Sequence, residues 1–385
     1  MGWEWSGGVS IDLSLAEGGD PTALVVAAQR AALLRSRSES REDWSARLFE
    51  KGTDLALAGV AFVLGALISL ATSWILVTRL ERLGERLGLS EALLGIVAAL
   101  AADAPEIASS ISALLQHQRT IGAGVVIGSN VFNLAALLGL GAIVSGFIAL
   151  HRRVVLLGGF VAMWTALCCL AAVSGVVPTL GGLIPAFVVL AGYLVVIGAR
   201  RESLRLLRLP RRWTSWLAQA IDDEEQELIV AIRPPRGRRV DALAALGSLV
   251  VVVVSSVVME RSASQLGHHF HVADAVIGGI VLAAVTSLPN AVAAVYLAAK
   301  GRGAAALSTA LNSNNLNVAI GLFIPGVFVG LAAPTRSGDL TASSYLLLTA
   351  LVLVVAYVCR GLSRRAGWLI VAGYAAFVIL LLAWT

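Results

Sequence analysis

Apolar residues run through this chain in stretches of about 20, the length that crosses the hydrocarbon core of a bilayer as a helix. Ten such stretches are predicted, over residues 55–78, 90–116, 120–147, 154–174, 180–199, 241–260, 272–299, 303–331, 343–360 and 367–384. Backbone amides in lipid must be satisfied within their own segment or around a closed barrel, and runs this long and this apolar satisfy them as helices. The expectation is an all-α polytopic membrane protein. Four parts follow from the pattern: a tail (1–52), a first transmembrane half (53–199), a basic linker (200–240) and a second transmembrane half (241–385).

Polar residues interrupt the apolar runs in one arrangement, and it occurs twice. Gly95-Ile96-Val97, Asp103-Ala104-Pro105-Glu106 and Ser129-Asn130-Val131-Phe132-Asn133 in the first half answer to Gly279-Ile280-Val281, Ser287-Leu288-Pro289-Asn290 and Ser313-Asn314-Asn315-Leu316-Asn317 in the second. The register is ungapped, since 279 − 95 and 317 − 133 both give 184. A duplicated polar, helix-breaking element at membrane depth is a common way for transporters to build an ion site.

Hydrophobic residues make up 58% of the chain and charged ones 14%, which excludes an ordinary soluble domain. The net charge of +5 does not point to nucleic acid, because ten arginines lie between Arg200 and Arg239. Basic loops stay cytoplasmic, so this loop is expected there. Counting helices from it puts Arg79/Arg82/Arg86, Arg152/Arg153, Lys300/Arg302 and Arg360/Arg364/Arg365 on the same side. The resulting N-out, C-out plan has five helices per half, and an odd number inverts the second copy relative to the first. The tail, with Arg30 to Lys51 on the outer side, fits this plan least well. It lacks the basic and apolar regions of a cleaved signal peptide, and residues 21–50 suit a surface amphipathic helix.

The chemistry concentrates in the repeats. Proline removes a backbone donor and frees carbonyls a turn earlier, and those of Ala99 and Ala283 are candidates. Beside them the sequence supplies Glu106, Ser129 and Asn133. Carboxylate, hydroxyl, carboxamide and carbonyl oxygens without histidine or thiol form a hard-cation ligand set, suited to sodium, calcium, magnesium or manganese. An acid in a membrane segment is a functional hypothesis by default, which makes Glu106 the anchor. Asp103, three residues earlier, shares its helix face. Two acids so close share one proton in the empty site and release it when a cation binds.

Other features read as structure. Gly124 and Gly128 form a GxxxG packing pair. Cys168, Cys169 and Cys359 have no metal-ligand spacing and read as small packing residues. His268-His269-Phe270-His271 reads as a solvated outer loop, and Asp222-Asp223-Glu224-Glu225 as part of a charged linker.

The repeats resemble the calcium/cation antiporter superfamily, the sodium/calcium exchangers and their relatives. Its repeats carry Gly-Thr-Ser-x-Pro-Glu followed by Gly-Ser-Asn-x-x-Asn/Asp. Here Ala101-Ala102-Asp103-Ala104-Pro105-Glu106 with Gly128 to Asn133, and Val285-Thr286-Ser287-Leu288-Pro289-Asn290 with Asn312 to Asn317, stand at those positions. The resemblance implies two inverted five-helix repeats, alternating access and ion sites at the repeat interface. The implied ligands are the Ala99 carbonyl, Asp103, Glu106, Ser129 and Asn133, then the Ala283 carbonyl, Thr286, Ser287, Asn290, Ser313 and Asn317. The second repeat departs by carrying Asn290 where the family has glutamate, so both acids come from the first. The implied activity is secondary antiport of calcium against sodium or protons, in a prokaryotic cell membrane, with inorganic cations as substrates and lipid as surroundings. No cofactor, enzymatic activity or nucleic-acid partner is expected, and no oligomeric state is assigned. Alternatives are another cargo on the same fold (a monovalent ion, magnesium or manganese), a non-transporting cation-binding relative, and an intramembrane hydrolase using Asp103 and Glu106.

Overall fold

The computed structural model describes residues 54–84, 86–87, 97, 99–198, 212, 215–220, 237–299 and 303–385. The tail through residue 52 and the Asp222–Glu225 patch lie outside the described residues, as do Gly95 and Ile96 of the first motif.

Ten helical rods are described. They are α1 (Asp54–Gly84), α2 (residues 99–102, then Ala104–Leu115), α3 (Arg119–Ser145), α4 (Arg152–Val173) and α5 (Thr179–Gly198), then α6 (Arg239–His269), α7 (Asp274–Thr286, then Leu288–Ala299), α8 (Gly303–Leu316 continuing to Val329), α9 (Arg336–Val358) and α10 (Arg364–Trp384). Seven are long and apolar enough to cross a membrane; α2, α7 and α8, rich in polar residues or interrupted, are the other three. The fold is all-α and polytopic. The predicted span at 241–260 is too short: α6 continues to His269 because Ser262, Ser264 and Gly267 bury one of its faces. Glu260 and Arg261 therefore lie within α6 and not at its end.

Two contact sets fix which helix ends share a face. On the basic face, Phe147–Ala149 (β1) and Gly361–Ser363 (β2) pair as an antiparallel ribbon, and the Arg364 N–H donates to Gly146 at 2.9 Å. There too, Arg79 reaches Asp241 at 2.6 Å, and the Gly237 N–H donates to the Arg82 carbonyl at 2.9 Å. On the opposite face, Gln118 donates to Ser264 at 2.9 Å. The ribbon puts the Arg152/Arg153 loop beside the Arg360–Arg365 loop, as the charge count requires. Cys168 and Cys169 are buried in α4, whereas Cys359, expected to pack within a span, is exposed where α9 ends. The three histidines from His268 to His271 are exposed.

The repeat shows in the local geometry. Asp103 breaks α2 with φ −80° and ψ −3°, and Ser287 breaks α7 with φ −85° and ψ −2°. Pro105 and Pro289 follow by two residues each, where the first turn of a new helix needs no amide donor. In α3 the turns Leu134–Leu140 are π-helical, and in α8 Asn317–Phe323 are. Such wide turns recur at functional sites, and here they follow Asn133 and begin at Asn317.

Helices α3 and α7 meet through glycine. A Cβ at Gly124 would lie 2.9 Å from the Gly279 nitrogen, and one at Gly128 would overlap the Gly279 carbonyl. Both obstacles are backbone, so neither can rotate away. Gly128→Ala is expected to lower the thermal midpoint of the purified protein by an amount equivalent to about 1–3 kcal/mol, the usual cost of overpacking. Gly247 on α6 faces open space, so Gly247→Ala is expected to leave the midpoint unchanged or raise it. Equal midpoints for the two variants would contradict this packing.

Candidate cation site

The breaks in α2 and α7 face each other across the repeat interface. Asp103 Oδ1 accepts from Asn290 Nδ2 at 2.7 Å and from Ser313 Oγ at 2.6 Å. Glu106 Oε1 accepts from Ser287 Oγ at 3.0 Å and from the same Asn290 Nδ2 at 3.3 Å. One amide group from the second repeat thus bridges two carboxylates of the first. Asp103, Glu106, Ser287 and Ser313 are fully buried and Asn290 is 1% exposed, so bulk water does not screen the pair. Two bare carboxylates in such surroundings repel strongly, and a shared donor offsets part of that repulsion.

The asparagines of α3 and α8 complete the cluster and carry its symmetry. Asn130 Nδ2 donates to the Asn314 carbonyl, and Asn314 Nδ2 donates to the Asn130 carbonyl, both at 3.1 Å. Asn133 Nδ2 donates to Asn314 Oδ1 at 3.2 Å, and Asn317 Nδ2 donates to Asn130 Oδ1 at 3.4 Å. Each bond maps onto its mate by the 184-residue offset, as expected of a two-fold axis between α3 and α8. Asn133 also reaches Ser313 Oγ at 3.3 Å. Asn130 and Asn314 were not among the predicted site residues, although they share the repeat register of their neighbours. Their role is to lock the two repeats together.

Four expected ligands are engaged within or between helices. The Ala99 carbonyl accepts the Asp103 N–H at 2.9 Å and the Ala283 carbonyl accepts the Ser287 N–H at 3.2 Å, so neither is freed by its proline. The reason is register: a proline at 105 vacates the carbonyl four residues back, at Ala101. That carbonyl accepts from Ser73 Oγ of α1 at 3.4 Å. The Thr286 hydroxyl donates back to Leu282 at 2.8 Å, inside its own helix. Ser129 Oγ donates to the Ala283 carbonyl at 3.4 Å, which ties α3 to the break in α7.

What remains is a set of oxygens. Asp103 Oδ2, Glu106 Oε2, Asn133 Oδ1, Asn290 Oδ1 and Asn317 Oδ1 are all buried without a hydrogen-bond partner. Buried acceptors are seldom left unpaired, and two carboxylate oxygens with three amide oxygens match the oxygen ligation of a hard cation. Among the described residues no group of three or more His, Cys, Asp or Glu could hold a metal. Amides and hydroxyls therefore make up the larger share of this candidate site.

Comparison with known proteins agrees with the fold and its two halves. The family described as Sodium/calcium exchanger protein matches residues 57–200 and 241–383, the two halves of the fold. Inner membrane protein YrbG of Escherichia coli (strain K12) is 24% identical over 343 residues, 85% of this chain and 97% of that protein. Sodium/potassium/calcium exchanger 1 of Mus musculus is 27% identical over 161 residues, 40% of this chain but only 13% of that protein. Among solved structures, the H+/Ca2+ exchanger CAX aligns with a TM-score of 0.63 at 11% identity, covering 85% of this chain and 87% of that one. The sodium-calcium exchanger NCX_Mj aligns with a TM-score of 0.51 at 18% identity, covering 84% and 99%. With both halves matched in register, this chain belongs to the sodium/calcium exchanger family.

Proposed function

We propose that this protein is a secondary active antiporter that exchanges a divalent cation, calcium foremost, for sodium or protons by alternating access. The observation that carries the reading is a set of five buried, unpaired oxygens drawn from both repeats, one each on Asp103 and Glu106 and three on Asn133, Asn290 and Asn317. The names of the relatives point the same way: NCX_Mj is a sodium-calcium exchanger and CAX an H+/Ca2+ exchanger. A prokaryotic cell membrane is the proposed location, in line with the inner membrane relative from Escherichia coli.

The physics of the pair makes exchange obligatory. Burying two uncompensated carboxylates costs several kcal/mol per ion, so the occluded site cannot form around bare charges. A divalent cation neutralises both acids, and so do two monovalent ones, protons included. Either load permits closure; an empty, fully ionised site does not. Asp103, Glu106, Asn133, Asn290 and Asn317 would supply the coordinating oxygens, with Ser129, Ser287 and Ser313 positioning them. The carbonyls of Ala99 and Ala283 and the Thr286 hydroxyl, whose oxygens each have two lone pairs, would be further ligands.

Asn290 has a specific part. A carboxamide contributes an oxygen without a charge, which keeps the formal site charge at two, and its amide restrains both acids when no metal is bound. Purified protein is expected to gain thermal stability with calcium or manganese, on the order of 2.7 kcal/mol at a hundredfold excess over Kd. Glu106→Gln is expected to abolish that gain, together with sodium- or proton-driven calcium uptake into proteoliposomes. Uptake undiminished in this variant would reject the site. Asn290→Asp is expected to lower the midpoint without divalent cation and to restore it on addition, because a third carboxylate then needs neutralising. A midpoint insensitive to cation in Asn290→Asp would remove Asn290 from the coordination shell.

A further inference from the structure

A second buried acid lies outside this cluster. Glu260 of α6 is fully buried. Its Oε2 accepts from Ser112 Oγ at 2.7 Å and from Gln116 Nε2 at 2.8 Å, both on α2. Its Oε1 is buried and has no hydrogen-bond partner. One turn further along α6, Ser264 accepts from Gln118 Nε2 at 2.9 Å, and Gln118 Oε1 is likewise buried and unpartnered. One turn the other way, the Ser256 carbonyl accepts from Ser109 Oγ at 3.5 Å, and its hydroxyl lies 3.0 Å from Ser69 Oγ of α1. Ser256, Glu260 and Ser264 recur every four residues, so they form one polar stripe on α6. Ser109, at the inner end of that seam, is a single turn from Glu106 on α2.

Among the described residues, the repeat-related stretch of α1 has no matching acid. Shifted by 184 residues, Glu260 and Ser264 become Leu76 and Leu80 of α1. Leu76 is 2% exposed and packs with Ala101, Ala245 and Val252, while Leu80 lines the same cluster. Packing alone would be served as well by leucine at 260, and an intramembrane carboxylate is costly without a purpose. A groove of about 500 Å3 between α2 and α6 is lined mainly by apolar side chains and has Ser112, Gln116 and Arg261, neighbours of the acid, at its polar end.

We infer that Glu260 is a second cation-binding acid, a way station for a monovalent cation on the side of the molecule opposite the basic loops. A single carboxylate takes a single positive charge, a proton or a sodium ion, as the Asp103–Glu106 pair takes a double one. The free Oε1 of Glu260 is the group that holds it, and Ser112 Oγ, which donates to Oε2 and accepts from Gln116 Nε2 at 2.9 Å, keeps the carboxylate in place. The charged or titratable neighbours are Arg261, next on α6, and His117 and Arg119 in the turn after Gln116. The stretch of α1 at Ser69 brings none. As the coupling ion's station, Glu260 rests on the antiport reading; as a binding site it stands alone.

The test uses the full chain carrying Asp103→Asn and Glu106→Gln, which removes the central acids. Its thermal midpoint is followed against sodium at fixed pH, and against pH without sodium. A residual monovalent dependence is expected, and adding Glu260→Gln is expected to abolish it. Loss in the sodium arm identifies sodium, and loss in the pH arm identifies the proton. If neither dependence changes on adding Glu260→Gln, the inference is overturned, whatever the fate of the antiport reading. Should the triple variant fail to fold, Ser112→Ala with Gln116→Ala strips the donors and keeps the carboxylate. That pair must shift the half-saturating sodium concentration or midpoint pH about tenfold in ion activity, and an unchanged value again overturns the inference. In otherwise native protein, Glu260→Gln leaves the calcium-induced stabilisation intact.

Discussion

Everything in this structure turns on two carboxylates held together inside a membrane protein by one carboxamide. Asp103 and Glu106 cannot both be bare in a site that excludes water, yet Asn290 donates to both and no arginine is paired with either among the described residues. The charge is therefore left for an ion that comes and goes. An arginine there would make the pair permanent and the site inert. The repeat architecture delivers the oxygens to this point, and the close glycine contacts of α3 with α7 keep the two breaks in register.

The inverted repeat gives a near-symmetric frame to an asymmetric charge. The four asparagine bonds of α3 and α8 obey the two-fold relation, as do the backbone breaks at Asp103 and Ser287. The acids do not, since both belong to α2. A frame built from uncharged amides can stay closed while the charged half of the site gains or loses its ion. Outside this frame, α1 and α6 meet through apolar packing, Leu76 with Ala245 and Val252, and through Arg79 with Asp241.

Much of this was legible in the sequence. The ten apolar runs gave the helices, though with ends as much as nine residues off at α6, because lipid leaves the backbone little choice. The shared offset placed Asp103 opposite Ser287 and Asn133 opposite Asn317 before any geometry. What stayed hidden depended on rotamers and on helix length. No pattern tells that Asn290 turns its amide toward both acids, or that Thr286 bonds back to its own helix. The Ala99 and Ala283 carbonyls keep their helical hydrogen bonds because a proline frees the carbonyl of one register position only. Glu260 was passed over because hydropathy stops counting at the first charge, whereas α6 continues for nine residues beyond it.

The most direct test is anomalous diffraction from crystals grown with manganese, a hard cation whose position can be read without assumptions about the ligands. A single strong peak is expected among Asp103 Oδ2, Glu106 Oε2 and the amide oxygens of Asn133, Asn290 and Asn317, at about 2.0–2.6 Å from each oxygen it binds. A saturated crystal with no peak there, or with manganese bound only elsewhere, would contradict the account.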